Sequence, residues 1–416
     1  MAVSSVALYC FCPDAVDAGG VPKNKNPSLW ALSSLSPHNH ASIYPQQVAA
    51  TRTRFDEYLQ QIHQDVNGES LHAFCGSNNF DSAFIKTAEQ RYSNITSGTG
   101  RIFVAANLYN SERVLANMAA QLLVLADIMG SDRVFVSIYE NGSTDKTKDI
   151  LLEFRNTLGI LAIPHEIMTD SKPRKTSGHR IEYMAELRNR ALDPLYRQAL
   201  RYNRVVFLND IFFCLPDIFE LLHQSRAHSA HLTCAEDFEI QHGALAFYDT
   251  WVSRDILGHA FKSRYQEIAQ DGNALVSQLY NRPFQVQCCW NGLAVIDARV
   301  FEGPAAIRFR RSAPKECSAS ECSLLCNDLW AAGYKRAVVV PRIKVSYDIA
   351  TRDQLRQPVY FPHDAPFSDQ NHPPKIEFKP GPKAVYCHPL NSPGSRTPDG
   401  PASFVALESE TQDESI

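Results

Sequence analysis

A short apolar run, Val-Val-Phe-Leu behind Arg204, stops abruptly at two polar side chains, Asn209 and Asp210. The chain then resumes with Ile-Phe-Phe-Cys-Leu-Pro216. β-Branched and aromatic residues in a brief run are the composition of a buried parallel strand. In an open α/β sheet, ligands bind beyond the carboxyl ends of the strands. An acid in that place can hold a divalent cation, and the cation a diphosphate. A turn or a helix cap ahead of Pro216-Asp217 accounts for the same residues. The choice between these readings rests on the rest of the chain.

From residue 101 onward, strand and helix signatures alternate. Residues 101–108 read as a strand, with Asn107 near its end, and 111–129 as an amphipathic helix capped by Ser111. A second strand, 133–139, ends in Glu140-Asn-Gly-Ser-Thr-Asp145, and 147–158 is helical again. Residues 161–167 suggest a third strand, 171–179 a basic loop, and 180–200 a long helix that carries Arg188 and Asn189. After the run at 204–208, strands are expected at 230–234 and 337–341, with a turn and a strand from Trp290 to Asp297. Ser320 caps a helix over 320–332. Such alternation implies βαβ units: an α/β fold whose mostly parallel sheet is sandwiched by helices. The expected layout is loop or disorder over residues 1–50, a helical extension over 51–99 and a single catalytic domain over 100–350. A Pro-rich, largely disordered tail over 351–416 completes it.

The formal net charge of -4 and pI near 6.4 give no reason to expect nucleic acid or an anionic membrane as partner. Basic residues cluster over 172–190 and at Arg308, Arg310 and Arg311, which suits a phosphate-bearing small molecule better than a polymer. Eleven cysteines leave at least one unpaired, and Cys317-x4-Cys322-x3-Cys326 lacks the paired knuckles of a zinc site. Disulfides and buried free thiols are equally consistent with the rest. No apolar run reaches the length of a transmembrane helix, and the first residues make a poor signal peptide. Asn94-Ile-Thr96 is a glycosylation sequon, informative only if the chain enters the secretory pathway. In a second sequon, Asn141-Gly-Ser143, a glycan would block a strand end.

Several residue types in these segments carry chemistry. Glu140, at a strand end, can accept from a nucleobase N–H or a ribose hydroxyl, although a plain strand-to-helix turn fits equally. Arg188 offers bidentate pairing to a diphosphate, and a solvated helix face is the alternative. Asp237, Asp249 and Asp255, with Arg254, could coordinate metal or bond sugar hydroxyls, or form a structural Asp–Arg network. Trp290 and Asn291 suit a sugar ring, the indole by stacking and the amide through hydroxyls, while a core Trp is the competing role. Glu321 lies in the first turn of a helix whose positive end favours its ionised form.

Taken in order, these motifs resemble a GT-A-type glycosyltransferase, and more closely the fungal cryptococcal mannosyltransferase / capsule-associated protein family. The stretches that carry the resemblance begin with Val136-Ser-Ile-Tyr-Glu-Asn-Gly-Ser-Thr-Asp-Lys-Thr-Lys, Ala185-Glu-Leu-Arg-Asn-Arg-Ala-Leu and Phe207-Leu-Asn-Asp-Ile. Tyr248-Asp-Thr-Trp-Val-Ser-Arg-Asp-Ile, Cys289-Trp-Asn-Gly and Glu316-Cys-Ser-Ala-Ser-Glu-Cys-Ser-Leu-Leu-Cys-Asn-Asp complete them. The resemblance implies transfer of mannose from GDP-mannose to a mannoside acceptor, an α-1,3 linkage and a divalent metal, Mn²⁺ or Mg²⁺. An α product from an α-linked donor means net retention. On this chain it implies Asp210 as metal ligand, assisted by Asn209. Asn209 and Ile211 hold the flanking places of an Asp-x-Asp pair, so a second ligand is expected later, at Asp348. Asn107, Glu140, Arg188, Asn189 and Asn209 would take the nucleotide sugar, and Asp249, Trp290 and Asn291 the sugars. Asp237, Asp255 and Glu321 would stand at the reacting centre. Residence in the Golgi or secretory pathway, and any membrane attachment, follow from the resemblance alone. A catalytically silent relative serving polysaccharide assembly or export, and a transferase for another donor such as UDP-xylose, are the alternatives.

Overall fold

The computed structural model describes residues 45–75, 90–171, 178–197, 200–355, 375–393 and 395–407. Among them, ten strands join in one sheet: β1 Ile102–Leu108, β2 Val134–Glu140, β3 His165–Thr169, β4 Arg204–Leu208, β5 Leu232–Gln241, β6 Ala244–Phe247, β7 Arg254–Asp255, β8 Phe284–Cys288, β9 Leu293–Asp297 and β10 Ala337–Ser346. The order is β3-β2-β1-β4-β9-β5-β10-β8-β7, with β6 beside β5. The half from β3 to β4 is all parallel, and β9 enters antiparallel between β4 and β5. β5 and β10 again run parallel to β4, so seven strands point one way and β6, β8 and β9 the other. The expected α/β class with a mostly parallel sheet between helices is the observed one.

Both faces of this sheet are buried, which is why its strands read as continuous apolar runs. Side chains alternate between two cores. Val104, Ala106, Leu108, Val136, Ile138, Val206 and Leu208 meet helices α2 Glu112–Met129, α3 Thr147–Ile160 and α5 Leu215–Ala227. Phe103, Ala105, Phe135, Val205 and Phe207 share a core with α4 Arg180–Arg197, α6 Gly272–Leu279 and α7 Glu321–Ala331. α2 is apolar almost all round because helix α1, Pro45–Asn67, covers its outer side through Phe55, Leu59 and Ile62.

Several boundaries differ from the sequence reading. α1 begins at Pro45 rather than at residue 51, since proline is tolerated in a first helical turn. β5 continues past Cys234 through Glu236 and Asp237, because pairing with β10 places Asp237 opposite Val345. β10 runs on past Pro341, with a register shift between Val339 and Lys344 that accommodates the proline. The tail is not wholly irregular: β11 Ala384–Cys387 and β12 Ser403–Ala406 pair antiparallel, and Leu390 is fully buried. It is anchored by long-range partners, a Cys317–Cys387 disulfide and a His179 Nε2 bond to the Leu390 carbonyl.

Three more disulfides, Cys75–Cys214, Cys234–Cys289 and Cys288–Cys326, leave Cys322 as the buried free thiol among the described residues. The neighbours Cys288 and Cys289 thus tie β8 to α7 and to β5. Residues 1–44 lie outside the described residues.

Candidate active site

The carboxyl ends of β1, β2 and β4 open onto loops that brace one another. The Asn110 and Ser111 N–H groups donate to Ser143 Oγ and Thr147 Oγ1, both at 2.8 Å. Thr144 N–H donates to Asn110 Oδ1 at 2.9 Å, and Lys146 N–H to Glu112 Oε2 at 3.0 Å. Within this frame, Glu140 is fully buried and accepts from the Ser143 N–H, yet its Oε2 finds no hydrogen-bond partner. Asn107 Oδ1 and Asn141 Oδ1 are orphaned in the same way. Buried polar atoms are rarely left unpaired, so three such acceptors on one rim mark where a donor-rich ligand would settle. Asn107 and Glu140, expected from the sequence to face the nucleotide, both lie on this rim; Asn141 was not among the expected site residues, having been set aside as a sequon.

One strand further, Asn209 is the hub of a side-chain relay. Its Oδ1 accepts from Arg188 at 3.3 Å and from the Trp290 indole N–H at 3.1 Å, and its Nδ2 donates to the Tyr347 hydroxyl at 3.3 Å. Tyr347 passes its own hydrogen to Asp237 Oδ2 at 3.0 Å. At the other end, Arg188 Nε donates to Glu321 Oε1 at 2.9 Å, where Ser320 caps α7. The Arg188 guanidinium lies 4.6 Å from the Trp290 ring centroid, with Phe207 and Phe309 also against it. Aromatic faces and a buried carboxylate suit the delocalised arginine cation. The turn at Asn291-Gly292 makes the closure possible. Gly292 has φ of 74°, and a Cβ there would stand 2.9 Å from Ile211 Cγ2.

Asp210 differs from all of these. Its side chain is exposed and, among the described residues, has no partner beyond its own backbone N–H. Burial of its surroundings still raises its carboxyl above the ordinary value, against the pull of Arg188. A solvent-reachable carboxylate lacking a cation of its own fits a hard divalent ion that takes further oxygens from phosphate. Among the described residues, no three His, Cys, Asp or Glu side chains converge as a metal group.

Asp237 and Asp249 form the second acidic feature. Asp237 Oδ1 accepts from the Asp249 N–H at 3.2 Å, and Asp249 Oδ2 from the Asn291 N–H at 3.2 Å. Burial, then the neighbouring carboxyl, pushes Asp237 well up; burial raises Asp249 to about 6. Two carboxyls so coupled titrate as a pair and keep their protons to higher pH than free carboxyls do.

The structure corrects several sequence assignments. Trp290 is 2% exposed, its ring covered by Arg188, Phe207 and Phe309, so it supports the site instead of stacking on a sugar. Asn291 is fully buried and spends its amide on Ser253 Oγ and the Ala235 carbonyl. Asn189 pairs both ends of its amide with the Phe309 backbone. Asp255 accepts from the N–H groups of Leu257, His259, Gln270 and Asp271, a loop clamp remote in role from chemistry. Asp348 caps the helix α8, Ile349–Leu355, through Thr351 N–H and Oγ1, both at 2.8 Å. Arg188, Asn209 and Glu321 are tied to one another beneath the rim rather than aimed at ligand. Arg310, in the second basic cluster, is clamped by Glu316 and Asp328. Lys172, Arg174 and Lys175 lie outside the described residues. Sequence reasoning also missed Tyr347 and Tyr248. Tyr248 is 46% exposed and packs its ring 4.7 Å from that of Tyr347. The available signal for Tyr347 was its place just past a strand, beside Asp348.

The family model described as Cryptococcal mannosyltransferase 1 matches residues 101–328. The alpha-1,3-mannosyltransferase CMT1 of Cryptococcus neoformans is 32% identical over 319 residues, covering 70% of this chain and 68% of that protein. The chain belongs to the cryptococcal mannosyltransferase family. It is a glycosyltransferase, and the rim of β1, β2 and β4 lies within the span that the family shares. Among solved structures, S. aureus TarS (residues 1–349) is 13% identical with a TM-score of 0.34, covering 60% of each chain. The mannosyltransferase PcManGT from Pyrobaculum calidifontis, solved in complex with GDP-Man and Mn²⁺, is 12% identical with a TM-score of 0.32. That likeness covers 69% of this chain and 68% of that one, and both structures are distant. No helix among the described residues is long and apolar enough to cross a membrane.

Proposed function

We propose that this glycosyltransferase moves mannose from GDP-mannose to a mannoside, with net retention and an α-1,3 linkage, in a metal-dependent reaction. The observation that carries the reading is the unpaired Asp210 carboxylate at the carboxyl end of β4. A divalent cation held there would neutralise charge gathering on the departing diphosphate. Glu140, Asn107 and Asn141, with their orphaned oxygens, are suited to accept from the nucleobase and ribose. Arg188 lends positive potential from beneath through Asn209. The exposed ring of Tyr248 offers the sugar face that buried Trp290 does not. The Asp237–Asp249 pair, in its ionised form, can take up the proton that an acceptor hydroxyl loses as its oxygen bonds to the sugar.

Radiolabelled GDP-mannose and UDP-xylose, each incubated with mannobiose with and without Mn²⁺, test the reading. Metal-dependent labelling from GDP-mannose alone is the expected result. Transfer from UDP-xylose would reassign the donor. Absence of both transfer and nucleotide binding would leave a silent assembly factor, the reading that the missing Asp-x-Asp pair favours.

A further inference from the structure

Two Asn-x-Ser/Thr sequences occur, Asn94-Ile-Thr96 and Asn141-Gly-Ser143, and the fold treats them in opposite ways. Asn94 lies on a single helical turn, Ser93–Thr96, with its side chain exposed. It borders an open cavity of about 640 Å³ that is also lined by Arg101, Arg133, Asn203 and Arg204. Arg101 and Arg204 stand at the starts of β1 and β4, so this cavity is at the opposite end of the sheet from Asp210. Asn141 is 7% exposed, donates to the Tyr183 hydroxyl at 3.3 Å, and sits on the rim that would receive the nucleotide. Ser143 is equally buried and accepts from the Asn110 N–H.

The compartment is indicated separately. Four disulfides among the described residues, including two from the adjacent Cys288 and Cys289, are the usage of a chain folded under oxidising conditions. Chains that fold there meet the machinery that reads such sequons.

We propose that Asn94 carries an N-linked glycan and that Asn141 does not. The co-reactant is an oligosaccharide joined to a polyprenyl diphosphate. Asn94 Nδ2 bonds to the anomeric carbon while the bond from that carbon to the diphosphate oxygen breaks. The lipid diphosphate leaves with the electron pair, and the amide nitrogen gives up one proton to base. Transfer precedes completion of the fold, so the folded state acts as the filter. A glycan on Asn94 projects into solvent at the far end of the sheet. One on Asn141 would have to displace the Tyr183 contact and the braced loops around Glu140, and a chain so modified could not adopt this structure.

The test is peptide mass mapping of the full chain, isolated with its disulfides intact from a eukaryotic secretory host. Glycans are first released by peptide N-glycosidase in heavy-oxygen water, which converts an occupied asparagine into labelled aspartate. Label at Asn94 and none at Asn141 is expected. Asn94→Gln and Thr96→Ala should each remove one glycan-sized step of gel mobility and leave the thermal midpoint in place. An unlabelled Asn94 in disulfide-bonded protein, or label at Asn141, overturns the proposal.

Discussion

Tyr347 donates its phenolic hydrogen to Asp237 at 3.0 Å, and through that one bond a buried acid on β5 is joined to the arginine and indole beneath β4. In Tyr347→Phe, Asp237 Oδ2 and Asn209 Nδ2 lose their partner, which costs about 1–3 kcal/mol. The lost bond also favoured the ionised carboxyl. The apparent pKa of the Asp237–Asp249 pair should therefore rise, and the acid limb of kcat/KM should move to higher pH. A pH–rate profile of the variant with an unmoved limb would assign Tyr347 to structure alone.

Each of these buried acids should make its own signed contribution to the pH dependence of stability. A carboxyl raised in the folded state binds its proton more tightly there than in the unfolded chain. Its contribution is complete below the unfolded value and is lost as pH rises through the folded one. For Asp249 the window runs from 3.8 to about 6, and for buried Glu236 from 4.5 to about 7. Glu220 works the other way: burial would raise it, but Arg342 and Arg91 bring it down to about 2. Its stabilisation is present above 4.5 and lost as pH falls through about 2. Buried His63, His228 and His231, each brought down to about 4 chiefly by burial, gain stability as pH rises from 4 to 6.5 and oppose the raised acids, so urea unfolding across pH is read as the difference between the wild type and a variant. Stability of Asp249→Asn relative to the wild type should rise as pH climbs from 4 to 6, and a difference that stays constant with pH would show that Asp249 contributes no such dependence.

The Arg188–Glu321 pair offers a test of burial against charge. Both side chains are at most 6% exposed. Glu321→Ala leaves the guanidinium buried without its counter-ion, and breaking such a pair costs about 3–5 kcal/mol. Arg188→Met with Glu321→Leu removes both charges and should be less destabilising than Glu321→Ala. Denaturant midpoints of the two proteins decide it, and the reverse order would show that Arg188 is held by its aromatic cage and not by Glu321.

Asp210→Asn should separate activity from stability. The residue is exposed and pairs with no other side chain among the described residues, so its stability change should stay within about 0.5 kcal/mol. Loss of a charge-stabilising group at a reacting centre typically lowers kcat about 10²–10³-fold. Mn²⁺ titration of the variant should show weaker dependence than wild type, and unaltered metal-dependent transfer would remove Asp210 from the metal site.

The parallel half of the fold was legible because each strand there is a local run followed by a local helix, as with Val205 to Leu208. The positions of Asp210 and Glu140 at strand ends were legible for the same reason: an acid that ends an apolar run is conspicuous. Other residues misled because their partners are remote in sequence. Trp290 looks ligand-facing until Arg188 covers its ring, and Asp255 looks catalytic until four backbone N–H groups converge on it. Asp237 lies inside β5 because β10, a hundred residues later, pairs alongside it. The described part of the tail is tied down by Cys387, whose partner no spacing rule could name.

Adjacent Cys288 and Cys289, the last residue of β8 and the one after it, give the last expectation. Cys288 holds α7, which presents Glu321 to Arg188, and Cys289 holds β5, which presents Asp237 to Tyr347. Native disulfides contribute about 2–5 kcal/mol. Cys288→Ala with Cys326→Ala should lower stability by that amount while keeping the Arg188–Glu321 contact, so kcat in the absence of denaturant should stay near wild type. A single Cys326→Ala would be worse behaved, because freed Cys288 lies against the Cys322 segment and could exchange with that thiol. Thiol counting under denaturant, beside the unfolding midpoint, separates the two effects. A double variant of wild-type stability would show that core packing around Leu325 and Leu329 holds α7 unaided.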